Sequence, residues 1–417
     1  MHQVVWSRYV VIGLGFWLLA NIPTFEISHF PTALCDAISG FLLIFFGWIS
    51  LNEKRKAAPW IIALIGVWMQ LYPLIYHSPN AFSYANDTLV GVLAITFAVI
   101  IPGLPGLLEF SDATPSGWSY NPSAWTQRLP IAALAFFGWM VTRYMAAYQL
   151  GFIHTIYDPI FPNGTLNVVT STISKSIPIS DAGLGAVGFS LVMLMACMGD
   201  SQRWRTMPWL VIFFGILVFV LGSVSILYVL CQPLVIGSWC AWCLATTIIM
   251  LGMILLAIDE VWAALHYIRG CLKAGETFAH AFWHGAKSEE RIQAQVEGIE
   301  KLYVKSIKTG VSVPFNLVLS ALMGIYLMMA PALYGITGSL QDLDHIAGSF
   351  VTVVSIVTMA EVVRAWRLLN IILGAVLILV TWYAFPQDEN TIQTMALGAL
   401  IILLSLRRGP IHEKYGQ

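Results

Sequence analysis

Long apolar runs, separated by short polar segments, follow one another along most of the chain. A helix needs about 20 mostly apolar residues to cross a bilayer, and about twelve runs approach that length. They lie near residues 8–24, 34–51, 59–76, 88–103, 130–150, 182–198, 208–230, 236–257, 313–333, 346–363, 368–385 and 392–406. The pattern predicts an all-α polytopic membrane protein with about 12 transmembrane helices, because helices satisfy their own backbone polar groups in lipid.

The composition agrees with this interpretation. Of the 417 residues, 58% are hydrophobic and 10% are charged, whereas a soluble domain has about 45–50% apolar and about 25% charged residues. A net charge of −1 without a basic block argues against a nucleic-acid-binding protein. Six cysteines in this length do not make a disulfide-rich secreted scaffold. The first apolar run leads into further spans, so we do not expect a cleaved signal peptide.

The positions of Lys and Arg predict the orientation. All but two of these 21 residues, Arg143 and Lys175, fall in alternate loops on one side of the predicted spans. Because positive charge accumulates in cytoplasmic loops, we expect both termini in the cytoplasm. Segments 151–181 and 231–236 are then on the outer face, and the expected location is a bacterial inner membrane.

A repeat with a period of about 50 residues is visible in both end regions. The matching segments are GFWLL (15–19) and GVWMQ (66–70), DAISG (36–40) and DTLVG (87–91), all with a shift of 51, and, with a shift of 50, Gly324 and Gly374, and Gly348 and Gly398. Each repeat unit spans two predicted helices. These units resemble the SPW repeat family, of which APW at 58–60 and HSP at 77–79 are fragments. They show almost no polar side chain at mid-membrane depth, which favours a scaffold role.

These patterns divide the chain into four regions. The expected regions are a repeat module of two two-helix units at 1–110, a central four-helix domain at 120–260, a cytoplasmic linker at 261–312, and a second repeat module at 313–410. In the linker, His280 and His284 are four residues apart, but two His residues without further ligands are a weak metal signal. No metal site is predicted.

Cys240 and Cys243 form the motif CAWC near the outer end of a predicted span. Residues three apart share one face of a helix, so the two sulfurs could bond reversibly. We expect Ser238 to cap this helix and Cys240 to lie in its first turn, where the helix dipole favours a thiolate. Cys243 would lie about 4.5 Å deeper along the axis, nearer to a lipid-soluble reactant. Packing thiols, or half of a metal site, are the alternatives.

Four segments resemble the vitamin K epoxide reductase family. They are NPSAWTQRLP (121–130), YQLGF (148–152), VVTSTISKSIPISDAGLGAVGF (168–189) and WCAWCLATT (239–247). The resemblance implies a four-helix membrane bundle around a quinone site, in which quinone reduction is coupled to formation of a disulfide. The implied electron acceptor is ubiquinone or menaquinone.

The resemblance also implies roles for individual residues. Cys243 is the sulfur that meets the quinone, and Cys240 exchanges with an incoming thiol. Ser171 matches the family's loop serine near the redox pair. Asp181 and Thr247 stand where the family often places polar residues that hydrogen-bond the quinone, although animal members commonly have Asn and Tyr there.

The outer loop departs from the family pattern. Members usually carry a second Cys pair in this loop, which shuttles electrons to the CxxC. Here 151–181 contains no Cys, and Thr165 occupies the place of the second shuttle Cys. Three explanations stay open: a separate thioredoxin-like protein delivers electrons to Cys240, Cys231 or Cys35 takes over, or the chemistry has changed.

Three further side chains are worth weighing. Arg143, a charge within a span, could polarise a quinone carbonyl, pair with Asp158 or Asp181, or extend to the interface. Trp242 could line a quinone slot or belong to the interfacial aromatic belt. Glu260 is expected at the solvated inner end of a span.

Two functions are consistent with the sequence. The first is an inner-membrane, quinone-linked thiol/disulfide oxidoreductase that passes electrons from outer-face thiols through the CxxC pair to a membrane quinone. Its expected partners are membrane lipid, the quinone and a periplasmic thioredoxin-like protein. The second is a non-enzymatic scaffold or transporter-like repeat protein with a relic CxxC.

Overall fold

The computed structural model describes residues 6–52, 54–100, 114–286, 309–334 and 338–415. Within these ranges the chain folds into helices, without a β-strand. Three of the four predicted regions lie partly outside the described residues. They are the first repeat module, at 1–5, 53 and 101–110, the linker, at 287–308, and the second repeat module, at 335–337.

The first half of the chain contains seven main helices within the described residues. They are α1 (Trp6–Thr24), α2 (Phe30–Ser50), α3 (Ala58–Ile75), α4 (Ala81–Ile95), α5 (Trp125–Gln149), α6 (Gly164–Val169) and α7 (Asp181–Cys197). The main helices of the second half are α8 (Pro208–Cys231), α9 (Ala241–Lys273), α10 (Phe278–Trp283), α11 (Phe315–Tyr334), α12 (Ser339–Val357), α13 (Leu369–Ala384) and α14 (Thr391–Leu406). Wider π-helical turns extend α4 to Ile100 and α8 to Ile236.

Many of these helices have the length and composition of membrane spans. In the described ranges, eight are long and apolar enough to cross a bilayer, and α7, α11 and α14 are apolar but shorter. Each predicted span overlaps one helix. The prediction of an all-α, multi-pass membrane protein is confirmed, whereas the count of about 12 spans and their grouping into bundles stay predictions.

The chain divides into two compact units. The first comprises 1–109 and 135–200, and the second comprises 110–134 and 201–417. Each unit is described by itself below. The boundaries of the four predicted regions stay a prediction, although α9 continues to Lys273 and so makes the start of the predicted linker helical.

Glycines set the spacing of the helix pairs in the first repeat module. A Cβ on Gly15 would lie 2.6 Å from the carbonyl oxygen of Gly40, and a Cβ on Gly66 would lie 2.6 Å from that of Gly91. These distances leave no room for a side chain, so only glycine permits the close approach of α1 to α2 and of α3 to α4. The repeat of 51 residues therefore corresponds to two equivalent helix pairs.

The second repeat module, which lies in the second unit, uses the same contact. A Cβ on Gly348 would lie 2.5 Å from the carbonyl oxygen of Gly324, and a Cβ on Gly374 would lie 2.7 Å from that of Gly398. Apolar side chains from α11, α12, α13 and α14 form one buried cluster around these contacts. The two modules are thus built on one packing scheme.

Two helices begin seven residues earlier than hydropathy indicates, because polar residues lie on their buried faces. α4 begins at Ala81 rather than near 88, and the side chain of Asn80 caps it. α12 begins at Ser339 rather than near 346, and Asp344 and His345 inside it are buried. An average over hydropathy places such residues in loops.

Candidate active site

The segment from Gln232 to Cys240 connects α8 to α9. A π-helical turn that starts at Gln232 ends at Gly237, whose φ of +69° is a left-handed conformation that glycine adopts without strain. The chain then becomes extended at Cys240, with φ −124° and ψ 115°, and α9 begins at Ala241. Cys240 is therefore the N-cap of the helix, a position that the sequence analysis assigned to Ser238.

Cys240 and Cys243 form a disulfide bond at the start of α9. Their Cα atoms are 5.3 Å apart, a separation typical of disulfides. The backbone N–H of Cys243 also donates to Sγ of Cys240 at 3.1 Å. Cys240 is fully buried, whereas Cys243 is half-buried. The predicted proximity of the two sulfurs is confirmed, and Cys243 is the more accessible of the pair.

The position of Cys240 as the N-cap of α9 affects the reactivity of its sulfur. In the reduced pair its sulfur would still accept the N–H of Cys243 and would lie at the positive end of the helix dipole. Both interactions favour the thiolate, which is the nucleophile in thiol–disulfide exchange. The N-cap position would therefore favour Cys240 as a nucleophile. The sequence analysis expected the same effect from a position inside the first turn.

Gln232 holds the turn that presents Cys240. Its side-chain Oε1 accepts the backbone N–H of Cys240 at 2.9 Å, and its carbonyl oxygen accepts that of Ser238 at 3.2 Å. The side chain of Gln232 is fully buried. Sequence reasoning missed this residue, and its one signal is a polar side chain at the end of an apolar run, eight residues before Cys240.

Three further residues, Trp239, Trp242 and Thr247, lie near the cysteine pair in the sequence. Oγ1 of Thr247 donates to the carbonyl oxygen of Cys243 at 2.9 Å, so its hydrogen is used within the helix. Trp242 is half-buried. Trp239 is buried and meets the ring of His345 edge to face, with 5.4 Å between the ring centroids.

Asp181 lies in the first unit and organises the start of α7. Its carboxylate accepts hydrogen bonds from Nε2 of Gln149 at 2.5 Å and from Oγ of Ser174 at 2.9 Å. The preceding Ser180 caps the helix by accepting the N–H of Gly183 at 2.9 Å. Asp181 therefore joins the end of α5 to the loop and to α7.

Ser171 and Arg143 also lie in the first unit. The hydroxyl of Ser171 donates to the carbonyl oxygen of Val168 at 2.7 Å, within the loop. The guanidinium of Arg143 lies over the rings of Tyr84 and Trp139, at 5.3 Å and 4.8 Å from their centroids. Cation–π contacts of this kind stabilise a cation in apolar surroundings.

A cavity of about 570 Å³ opens in the first unit between the loop and the ends of α5 and α7. Its lining includes His77, Gln149, His154, Ser174 and Lys175. Gln149 and Ser174 are also the residues that bind the carboxylate of Asp181, so the cavity borders that hydrogen-bond network. None of the predicted site residues is itself part of the lining.

Comparison with known families assigns the middle and the end of the chain. Residues 129–258 match the vitamin K epoxide reductase family. Residues 315–408 match the SPW repeat domain. Both matches confirm the resemblances drawn from the sequence. No curated protein and no solved structure matches the chain.

The vitamin K epoxide reductase domain contains every predicted site residue. The first two turns of α9 and its cap, in the second unit, bring together Cys240, Trp242, Cys243 and Thr247. The first unit holds the other three, which are Arg143, Ser171 and Asp181. Their roles stay predictions.

Thr165 is held in place by hydrogen bonds within the loop 151–181 of the segment that matches the vitamin K epoxide reductase family. It is fully buried, and its N–H and hydroxyl both donate to Oδ2 of Asp158, at 3.0 Å and 2.6 Å. Asp158 also accepts the N–H of Phe161 at 2.7 Å. Hydrogen bonds to one carboxylate therefore hold the loop at the place where the family usually has a Cys.

The two thiols considered as substitutes for the missing pair differ in burial. Cys231 at the end of α8 is free and half-buried, and Cys35 in α2 is free and buried. In the described part of the chain, no group of three or more His, Cys, Asp or Glu side chains could hold a metal ion.

Proposed function

We propose that the protein is a quinone-linked thiol/disulfide oxidoreductase of the bacterial inner membrane. The observation that carries this proposal is the Cys240–Cys243 pair at the N-terminus of a candidate membrane helix, inside a domain that matches the vitamin K epoxide reductase family. The family indicates an oxidoreductase that links thiols to a membrane quinone. The proposed electron flow runs from outer-face thiols through the pair to the quinone.

The first half-reaction opens the disulfide. A partner thiolate attacks Sγ of Cys240, the bond to Cys243 breaks, and its electron pair leaves on the sulfur of Cys243. A second partner thiol then displaces Cys240, which leaves a disulfide on the partner and a dithiol on this protein. Because Cys240 is fully buried in the oxidised state, the turn that begins at Gln232 must move to admit the partner.

The second half-reaction restores the disulfide. A quinone, ubiquinone or menaquinone, supplies the acceptor chemistry by taking up two electrons and two protons. Re-formation of the Cys240–Cys243 bond releases the two electrons and the two protons. Cys243 is the proposed contact because it is the less buried sulfur, and Trp242 is the proposed wall of the slot.

The remaining site residues are proposed to shape the polar surroundings. Thr247 would turn its hydroxyl from the helix carbonyl to a quinone oxygen. For Arg143, in the first unit, polarisation of a quinone carbonyl is proposed from the sequence alone. The hydrogen bonds of Asp181 within the loop support a positioning role for that residue. Ser171 would act through the same loop, in which its hydroxyl is engaged.

The electron donor is proposed to be a separate thioredoxin-like protein. The loop 151–181 contains no Cys, so it has no shuttle pair of its own. This donor requires the CxxC pair on the outer face and both termini in the cytoplasm. The distribution of Lys and Arg supports that orientation.

Quinone-dependent thiol oxidation by the purified full-length protein tests the proposal. With dithiothreitol and a short-chain quinone, one quinone should be reduced for each dithiol oxidised. Cys243→Ser should abolish the reaction. Cys271→Ser, which changes another half-buried cysteine of α9, should keep the rate. Equal rates in wild type and Cys243→Ser contradict the proposal and favour the scaffold alternative.

A further inference from the structure

Two acidic residues occupy equivalent positions in the first repeat module. Asp36 in α2 and Asp87 in α4 each precede, by four residues, the glycine that contacts the neighbouring helix, Gly40 or Gly91. Each acid is six residues beyond the first residue of its helix, or about 9 Å along the axis. The sequence pattern indicated an apolar scaffold here, and these buried acids are at odds with that expectation.

Both carboxyl groups are removed from solvent, with 0% exposure for Asp36 and 1% for Asp87. Among the described residues, no donor reaches either oxygen of Asp36 or Oδ2 of Asp87. Oδ1 of Asp87 accepts from Nδ2 of Asn86 at 3.1 Å, and Trp17 orients that amide by donating to its oxygen at 2.9 Å.

The two carboxyl groups lie within hydrogen-bonding range of each other. An ionised carboxylate can only accept a hydrogen bond, so two ionised groups cannot bond. Away from water they also repel each other and lose their hydration. Among the described residues, Asn86 donates a hydrogen bond to the pair, and no Lys or Arg side chain does so. One bound proton supplies the missing donor and removes one charge.

Tyr72 on α3 is an independent indication of a site at this place. Its side chain is 4% exposed, its hydroxyl lies beside Thr32 without a well-aligned hydrogen bond to the described residues, and it interacts electrostatically with both acids. The dipole of this hydroxyl can stabilise the charge that remains on the pair. Cys35 also interacts electrostatically with both acids. The other titratable groups on the packed elements include His29 at the start of α2, Arg8 on α1, and Tyr84 with Arg143 over its ring.

The second repeat module has a different pair at the same positions. Asp344 and Thr394 precede Gly348 and Gly398 by four residues, and the hydroxyl of Thr394 donates to Oδ2 of Asp344 at 2.9 Å. Threonine brings its own hydrogen, so this pair needs no added proton to form its bond. The second carboxyl group is therefore a distinctive feature of the first module.

We propose that Asp36 and Asp87 form a proton-binding site in the first repeat module. One proton bridges the two carboxyl groups, and the hydroxyl of Tyr72 stabilises the remaining negative charge. Binding changes the charge of the pair from −2 to −1 and transfers no other atom. The site takes up and releases its proton as the pH changes, and it does not depend on the cysteine chemistry proposed above.

Infrared difference spectroscopy of the full-length protein tests this proposal through the C=O stretch of a protonated carboxylic acid. The difference between wild type and Asp36→Asn/Asp87→Asn at neutral pH should contain this band, at an intensity of one acid per chain. The band should shift in D2O and vanish as the pH is raised. The matched control is Asp342→Asn, which changes an exposed aspartate of the second module and should give no such difference.

Asp87→Thr is a second variant, because it creates the Asp–Thr pair that the second module already accommodates. It should also lose the band while keeping the helical content of the wild type. A band that persists in both variants overturns the proposal. So does a band that sodium chloride removes at constant pH while choline chloride does not, since the ligand is then a metal cation. Cys243→Ser should keep the band, which separates this test from that of the thiol chemistry.

Discussion

At the scale of residues, hydrogen bonds position the groups of the candidate site. Gln232 holds the N–H of Cys240, and Asp181 gathers Gln149 and Ser174. The CAWC motif could be predicted, because its chemistry depends on a spacing of three residues. The role of Gln232 could not be predicted, since an acceptor is recognised only when the turn that presents it is known.

Gln232→Ala should lower kcat for quinone-dependent thiol oxidation by about fivefold and leave KM for the quinone unchanged, because a lost hydrogen bond costs about 1 kcal/mol. Gln232→Glu keeps an acceptor but adds a negative charge beside Cys240. Its rate profile should therefore move to higher pH. Steady-state kinetics check both variants, with Gln393→Ala, at an exposed glutamine, as control. An unchanged kcat in Gln232→Ala contradicts the positioning role.

Thr165→Val should loosen the loop of the vitamin K epoxide reductase domain. The variant keeps the shape of the buried side chain but removes the hydroxyl that donates to Asp158, and a hydrogen bond to a charged group contributes about 1.5–3 kcal/mol. Limited proteolysis should cut the loop at least tenfold faster than in wild type. Thr170→Val, at an exposed position of the same loop, should not change the rate, and equal rates in all three proteins refute this account.

At the scale of helices, small residues and periodic apolar runs determine most of the packing. The repeat of 51 residues correctly indicated equivalent helix pairs, because Gly15 and Gly66 make the same contact in each pair. Hydropathy also placed a helix at every predicted span. It misplaced the starts of α4 and α12. A polar residue that faces another helix lowers the average hydropathy as much as a polar residue in a loop does.

Gly66→Val should destabilise the first module, because its new side chain would meet the backbone of Gly91. Overpacking of this kind costs about 1–3 kcal/mol. Thermal unfolding in detergent, followed by circular dichroism, should show a lower Tm. Gly13→Val is the matched control, since a Cβ there meets nothing within 4 Å. A Tm that falls equally in both variants means that close packing at Gly66 is not the cause.

At the scale of the whole molecule, the compact units do not follow the boundaries of the family domain. Residues 135–200 of the vitamin K epoxide reductase domain belong to the unit that contains the first repeat module, and 201–258 belong to the unit that contains the second. Domain boundaries predicted from the sequence depend on repeats and motifs, and neither indicates which helices pack together. The pairing of Asp36 with Asp87 escaped prediction for the same reason, although the repeat had already aligned the two acids.

A buried ion pair lies in the second unit. Arg203 binds Glu260 through two hydrogen bonds of 2.6 Å, and each side chain is at most 2% exposed. Glu260 is therefore not the solvated helix end that its sequence position indicated. It lies inside α9, which continues to Lys273, and hydropathy could not show the partner that covers it.

Glu260→Gln should lower the free energy of unfolding by about 3–5 kcal/mol, because it removes the carboxylate that faces the buried charge of Arg203. Arg203→Met/Glu260→Met removes both charges and should recover most of that loss. Denaturant unfolding in detergent measures the three proteins, with Glu276→Gln as an exposed control. A double variant no more stable than Glu260→Gln contradicts the role of the buried charge.

The sulfur of Cys240 also anchors the first turn of α9, because it accepts the backbone N–H of Cys243. In the proposed exchange, a partner that captures this sulfur in a mixed disulfide would take the anchor away, and the end of the helix would fray. Capture by the partner and backbone order would then be coupled at one residue. The amide proton of Cys243 becomes a reporter of turnover, protected while the pair is closed and exchanging with water whenever the partner holds Cys240.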